Sequence, residues 1–266
     1  MNTISIHGVN IVTESKNSLL LDLEARLQST QRPLLIFTPN AENLLRADEN
    51  QYLKQALQEA DYNLPDSASL LWSAARQGKG VLASIGLLFK IPFGFGRHAV
   101  VAEKISGSDI VFDIFQIAEK YRYKVALVGG TAGSAQGAAF NLKNSQPNLE
   151  IVYADMGIME KDWHLETLGL VKKLNNTGAE IILCAFGCPK QEMWCYYQRD
   201  YLPNAKLLIG VGGTLEFISG QIKRAPFCIR QLNLEWLWRL VQQPSRLGRI
   251  YTALINYVYT DLTKFH

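Results

Sequence analysis

VALVGGTAGSAQGAAFNL, Val125 to Leu142, is the stretch on which the fold turns. Its first four residues are apolar and suit a short buried strand. The glycines after them break the strand, and the small, alanine-rich run that follows suits a helix. The same grammar recurs along the chain. LLIF (Leu34 to Phe37) runs into TPNAENLL, IILCAF (Ile181 to Phe186) into GCPKQEMW, and LLIGV (Leu207 to Val211) into GGTLEF. Continuous apolar strands of this length are buried on both faces, as in a parallel sheet with helical crossovers. The expected class is therefore α/β, a Rossmann-like open sheet with helices on both faces. Ligands of such sheets sit beyond the carboxyl ends of the strands, so the four turn segments are the first places to look for a site.

Composition narrows the classes. A chain of 266 residues, 48% hydrophobic and 19% charged, is globular rather than disordered. No apolar run is long enough to span a bilayer, and the N-terminus carries no signal-peptide pattern, so the expected compartment is the cytosol. Cys184, Cys188, Cys195 and Cys228 lack zinc-site spacing and read as reduced structural thiols. The charge is uneven. From Gln221 onward seven basic residues face two acids, so the tail is +5 while the rest of a +3 chain is −2. Two units are expected, an α/β body over residues 1–220 and a basic helical appendage over 221–266.

In that appendage LEWLWRLVQQPSRLGRIYTAL (Leu234 to Leu254) places Leu234, Leu237, Trp238 and Val241 on one helical stripe. Pro244 suits the first turn of a second helix, whose apolar face holds Leu247, Ile250, Tyr251, Leu254, Ile255 and Val258. The expectation is two amphipathic helices hinged at Pro244. An anionic partner suits the charge. Arginines set among core-type apolar residues, rather than in an exposed run, argue against nucleic acid. A further segment, Gly78 to Ala102, is rich in glycine and aromatics and free of acids. It reads equally as a flap or membrane-touching loop and as an ordinary buried helix and turn.

Several residues are candidates for chemistry. The GGTAGSAQG loop (Gly129 to Gly137) offers backbone N–H groups at a helix start, and Asp155 lies where a dinucleotide enzyme keeps its ribose carboxylate. That supports an NAD(P)-dependent oxidoreductase as the rival function, though a tight turn with no cofactor explains the loop equally well. Asp66, in NLPDSASLL, suits the N-cap of the following helix, the favoured reading, or a general base of raised pKa. Asp109 shares the ambiguity. Lys190 and Gln191 in GCPKQE suit a phosphate or a base edge. His7, His98, His164 and His266 are scattered, and no Asp-x-Asp pair is present, so positive charge on a diphosphate would fall to arginines.

Taken together these pieces resemble the WecB/TagA/CpsF family of bacterial glycosyltransferases. TPNAE (38–42), PDS (65–67), EKISGSDI (103–110), LVGGTAG (127–133), FGCPKQE (186–192), GVGGTLEFISGQIKRAP (210–226) and LEWLWRLVQQPSRLGR (234–249) carry the resemblance over nearly the whole chain. It implies an inverting, metal-independent transferase without a cofactor. Such an enzyme moves an N-acetylmannosamine-type sugar from a UDP donor to a polyprenyl-diphosphate-linked acceptor, for cell-surface polysaccharide, on the inner face of the plasma membrane. By position, Asp66 is implied as the base, and Thr38, Asn40 and Gln191 as sugar or nucleotide contacts. Arg239, Arg246 and Arg249 are implied as the arginines that close on the donor diphosphate. Lys104, a further substrate contact, stands where the family usually has arginine, and Ser67 where it usually has glycine. Partners implied are thus the donor, the lipid-linked acceptor and the membrane surface; a homo-oligomer is left open.

Overall fold

The computed structural model describes residues 1–90, 99–157 and 167–264, apart from the side chains at 167, 246, 249, 253, 254 and 264. Eight strands are described: β1 (Thr3–Ile6), β2 (Val9–Val12), β3 (Leu34–Phe37), β4 (Tyr62–Asn63), β5 (Val125–Gly129), β6 (Ile151–Asp155), β7 (Ile181–Ala185) and β8 (Leu207–Gly210). The first two form a separate antiparallel hairpin, with His7 and Gly8 both at positive φ in its turn, as a two-residue hairpin loop demands. The other six form one sheet in the order β4-β3-β8-β7-β5-β6, and each of its neighbouring pairs is parallel.

The side-chain period of two sorts the core. Val125, Leu127, Ile181, Leu183, Leu207 and Ile209 face one layer, while Ala126, Val128, Ile182, Cys184 and Leu208 face the other. Helices Lys16–Ser29, Gly107–Tyr121, Ser134–Ser145 and Thr214–Ile218 cover the first face. Helices Ala41–Glu49, Gln51–Gln58, Ala68–Arg76, Thr167–Thr177 and Lys190–Gln198 cover the second. The open, doubly covered α/β sheet expected from the apolar runs is what forms. Its crossovers alternate: the helices after β3 and β7 go to one face, those after β5 and β8 to the other. The loops at the carboxyl edge diverge and leave a crevice between them.

The appendage is broken at Pro244, as expected, but into more pieces than two helices. Helix Glu235–Gln242 is followed by a 3₁₀ turn at Pro244–Arg246, a short helix at Leu247–Tyr251, a π turn at Thr252–Asn256 and a last helix at Tyr257–Lys264. Of the two apolar stripes, Leu237, Val241, Leu247, Tyr251 and Ile255 are exposed, while Leu234, Trp238, Ile250 and Val258 are half-buried. Glu235, Trp238 and Arg239 of the first helix are half-buried, and Trp238 and the exposed Gln242 both reach the Lys223 carbonyl. That helix lies over a polar crevice rather than a core. Of the Gly78–Ala102 segment, Val81–Leu88 is a helix and residues 91–98 lie outside the described residues.

Candidate active site

Asp66 follows β4 at the carboxyl edge of the sheet. It does not cap the helix that follows it, as the sequence favoured; Ser67 holds that position, with no side-chain cap bond. Asp66 Oδ1 instead accepts the backbone N–H of Gly107 at 3.2 Å, so it caps the first turn of helix Gly107–Tyr121, from 41 residues away. Burial pushes its pKa up to about 7. The Lys104 charge opposes that rise, Glu235 adds to it, and the Gly107 N–H and Arg239 oppose it in turn. A carboxyl group balanced near neutrality among two cations and a second carboxylate is equipped to take a proton.

Neighbouring loops tie this point together. Thr38 is buried after β3, and its Oγ1 donates to Gly210 O of β8 at 3.3 Å. A Cβ on Gly107 would meet Thr38 side-chain atoms at 3.1 Å, so the missing side chain lets the capped helix start against β3. Ser108 Oγ and Thr214 Oγ1 lie 3.2 Å apart, joining the SGSD and GGT pieces. Asn40 caps helix Ala41–Glu49 by accepting from Asn43 N at 3.1 Å. Gln191 is buried and works as a strut: its Oε1 accepts from Gly187 N at 3.2 Å and Gly212 N at 3.0 Å, and its Nε2 donates to Glu192 at 2.8 Å. It locks the loops after β7 and β8 to each other.

The appendage closes over this crevice. Helix Glu235–Gln242 is seated on Lys223, whose carbonyl accepts from Trp238 Nε1 at 3.0 Å and Gln242 Nε2 at 2.9 Å. Arg239 lays its guanidinium over the Phe217 ring, 4.5 Å from the centroid. Its Nη2 would stand 3.0 Å from a Cβ on Gly213, which only glycine leaves open. Asp109 is not a second base. Burial raises its pKa, but the ion pair to Arg224 at 2.8 Å and the charges of Arg230 and Lys16 outweigh burial and leave it below its ordinary value. Asp109 thus spends two of the tail's cations on docking. Arg246 and Arg249 lie on the turns after Gln243, and their side chains fall outside the described residues.

Asp66, Lys104 and Arg239 are therefore brought together, with Thr38 behind them. Glu235 joins them without having been singled out in the sequence. The signal was present: Glu235 precedes Arg239 by one helical turn in EWLWR, so a functional arginine implicates it.

The dinucleotide reading loses its footing here. In the loop after β5, Gly130 N donates to Ala185 O at 2.9 Å, Thr131 N to Glu216 Oε1 at 3.2 Å and Ser134 N to Thr131 O at 2.9 Å. Ser134 Oγ fills the space beside Gly130, only 2.0 Å from where a Cβ would stand. A pyrophosphate would find those donors taken. Asp155 is likewise engaged, by Met156 N at 2.7 Å and Gln136 Nε2 at 3.3 Å. The loop is a tight structural turn. Compared with known families, the chain matches the glycosyl transferase WecG/TagA/CpsF family over residues 4–88 and 94–264.

Proposed function

The chain belongs to the WecG/TagA/CpsF family of glycosyltransferases, and from that premise we propose that it moves a hexose-type sugar, N-acetylmannosamine or a derivative, from a UDP donor to a polyprenyl-diphosphate-linked acceptor. The acceptor hydroxyl gives its proton to Asp66 as its oxygen attacks the anomeric carbon from the face opposite UDP. The C–O bond to the β-phosphate breaks, UDP leaves with the electron pair, and the anomeric centre inverts. Arg239, aided by Arg246 and Arg249, receives the charge that builds on the diphosphate, as preorganised cations can in a site closed from water. Lys104 faces the base and the acceptor, and Thr38 and Asn40 line the sugar side.

One observation carries this reading: a carboxyl group raised to about 7 at the carboxyl edge of the sheet, beneath an arginine of the appendage. The outward apolar face of the appendage supports work at a membrane surface, and no helix among the described residues is long and apolar enough to cross one. The test is UDP release from a panel of UDP-sugars with a short-chain prenyl-diphosphate-linked N-acetylglucosamine acceptor. Release that needs both substrates is expected. No release with any pair would sink the reading.

A further inference from the structure

Helix Val81–Leu88 carries a surface that neither the fold nor the crevice uses. Its inner side is fixed: Ser84 is fully buried, and its carbonyl accepts from Trp72 Nε1 at 2.8 Å. Its outer side shows Leu82 at 87% exposure and Phe89 at 78%, with Val81 and Ile85 also exposed. These positions fall on one helical face. Lys79 and Lys90 flank it, and no Asp or Glu occurs from Ser67 to Ala102. Residues 89–93, which include Phe89 and Lys90, fall outside the family match.

We propose that this face inserts into the headgroup boundary of an anionic lipid bilayer, as a membrane contact separate from the appendage. Aliphatic and aromatic side chains would enter the boundary while the two lysines reach lipid phosphates at its ends. A field of one sign across a long acid-free stretch complements an anionic surface. The mounting is consistent. Helix Ala68–Arg76 holds helix Val81–Leu88 through Trp72 and holds the last appendage helix through Ser73 and Arg76, so one strut carries both outward apolar stripes. The proposal rests on the reading of a lipid-linked acceptor, which places the reaction at a bilayer.

The experiment is flotation of the full chain with vesicles of phosphatidylcholine and phosphatidylglycerol, against vesicles of phosphatidylcholine alone. Wild type should float with the anionic vesicles. Leu82→Glu/Phe89→Glu should bind at least about tenfold more weakly, and Lys79→Gln/Lys90→Gln should lose the preference for anionic lipid. Both variants alter exposed positions and should keep the melting temperature. Equal flotation of the glutamate variant and wild type overturns the proposal, as does a wild type that does not float. A wild-type dimer that the glutamate variant dissolves, without flotation of either, reassigns the face to a second copy. UDP release with a water-soluble short-chain acceptor separates the two readings. Its absence with normal flotation sinks the acceptor and leaves the anchor; its presence unchanged in the variants confines their defect to the membrane.

Discussion

Asp66 titrates at about 7, so near neutral pH a modest change decides whether it can act. A base must be ionised; kcat/KM should therefore rise with pH through about 7 and level off above. Asp66→Asn should lower kcat by about 10²–10⁴-fold, and full activity in that variant would remove the base assignment. The same group sets a stability term of opposite sense. Its folded pKa stands above the ordinary 3.8, so the folded state holds the proton more tightly. That contribution is complete at acid pH and is lost as pH rises through about 7. Asp66→Asn should then unfold at higher temperature than wild type in mildly alkaline buffer, by on the order of 1 kcal/mol or ~2–4 °C, with the gap closing in acid. Calorimetry at both pH values checks it; a variant less stable than wild type at alkaline pH would show that the ionised carboxylate is not strained. The sequence made this residue legible as a carboxylate in a turn before an apolar helix. It could not reveal the partner, because the N–H it caps lies far along the chain. The loop partners of Gln191 were hidden for a like reason. Projecting from a strand end, it read as a ligand contact; in the fold its Oε1 also accepts from Gly187 N and Gly212 N. Gln191→Ala leaves two backbone donors without their acceptor and should cost ~1–3 kcal/mol in denaturant unfolding.

Helix Glu235–Gln242 shows what periodicity does and does not reveal. The apolar stripe was readable from spacing alone, but not whether it meets a core, solvent or lipid. The helix is seated that way because Arg239 has the Phe217 ring, and Trp238 and Gln242 the Lys223 carbonyl, to meet. Strands β3, β5, β7 and β8 were legible because each is buried on both faces and reads as an unbroken apolar run. The two-residue β4 and the β1–β2 hairpin left no such signal, though β4 is what delivers Asp66. Two substitutions test the helix as an element. Glu235 helps hold the proton affinity of Asp66 up, so Glu235→Gln should move the rising limb of the pH–rate profile toward acid without abolishing the plateau. An unmoved profile would separate the helix from the base. Arg239→Ala should lower kcat/KM for the donor by about 10²-fold, and Arg239→Lys should restore charge but little of the rate, since the planar guanidinium is what stacks on Phe217. Wild-type kinetics in Arg239→Lys would reduce Arg239 to a point charge.

Across the whole molecule the appendage is a strap tied at both ends, not a flap with a free tip. At its start Arg224 and Arg230 pair with Asp109. At its end Tyr257 is fully buried, stacked on His7 at 5.2 Å with its hydroxyl 2.8 Å from Ser73 Oγ. Asp261, equally deep, takes Ser73 Oγ and Arg76 Nη1 at 2.9 Å each and lies 3.2 Å from His7 Nε2. Thus one of the two acids in a strongly basic tail is the one that seats it, in a socket made by helix Ala68–Arg76 and by His7 of the hairpin invisible to sequence reading. Motion that admits the donor is then expected between the ties, around Gln243 and the π turn. Asp261→Asn weakens a buried ion pair, of a kind worth about 3–5 kcal/mol when one partner is removed. Tyr257→Phe deletes a single hydrogen bond, ~1 kcal/mol. Hydrogen exchange should therefore speed up over 257–264 and then 235–242, more in Asp261→Asn than in Tyr257→Phe, with β5, β7 and β8 unchanged and KM for the donor raised. Exchange accelerated evenly through the sheet would mean that Asp261 supports the body rather than the strap, and the two-ended closure would fall with it.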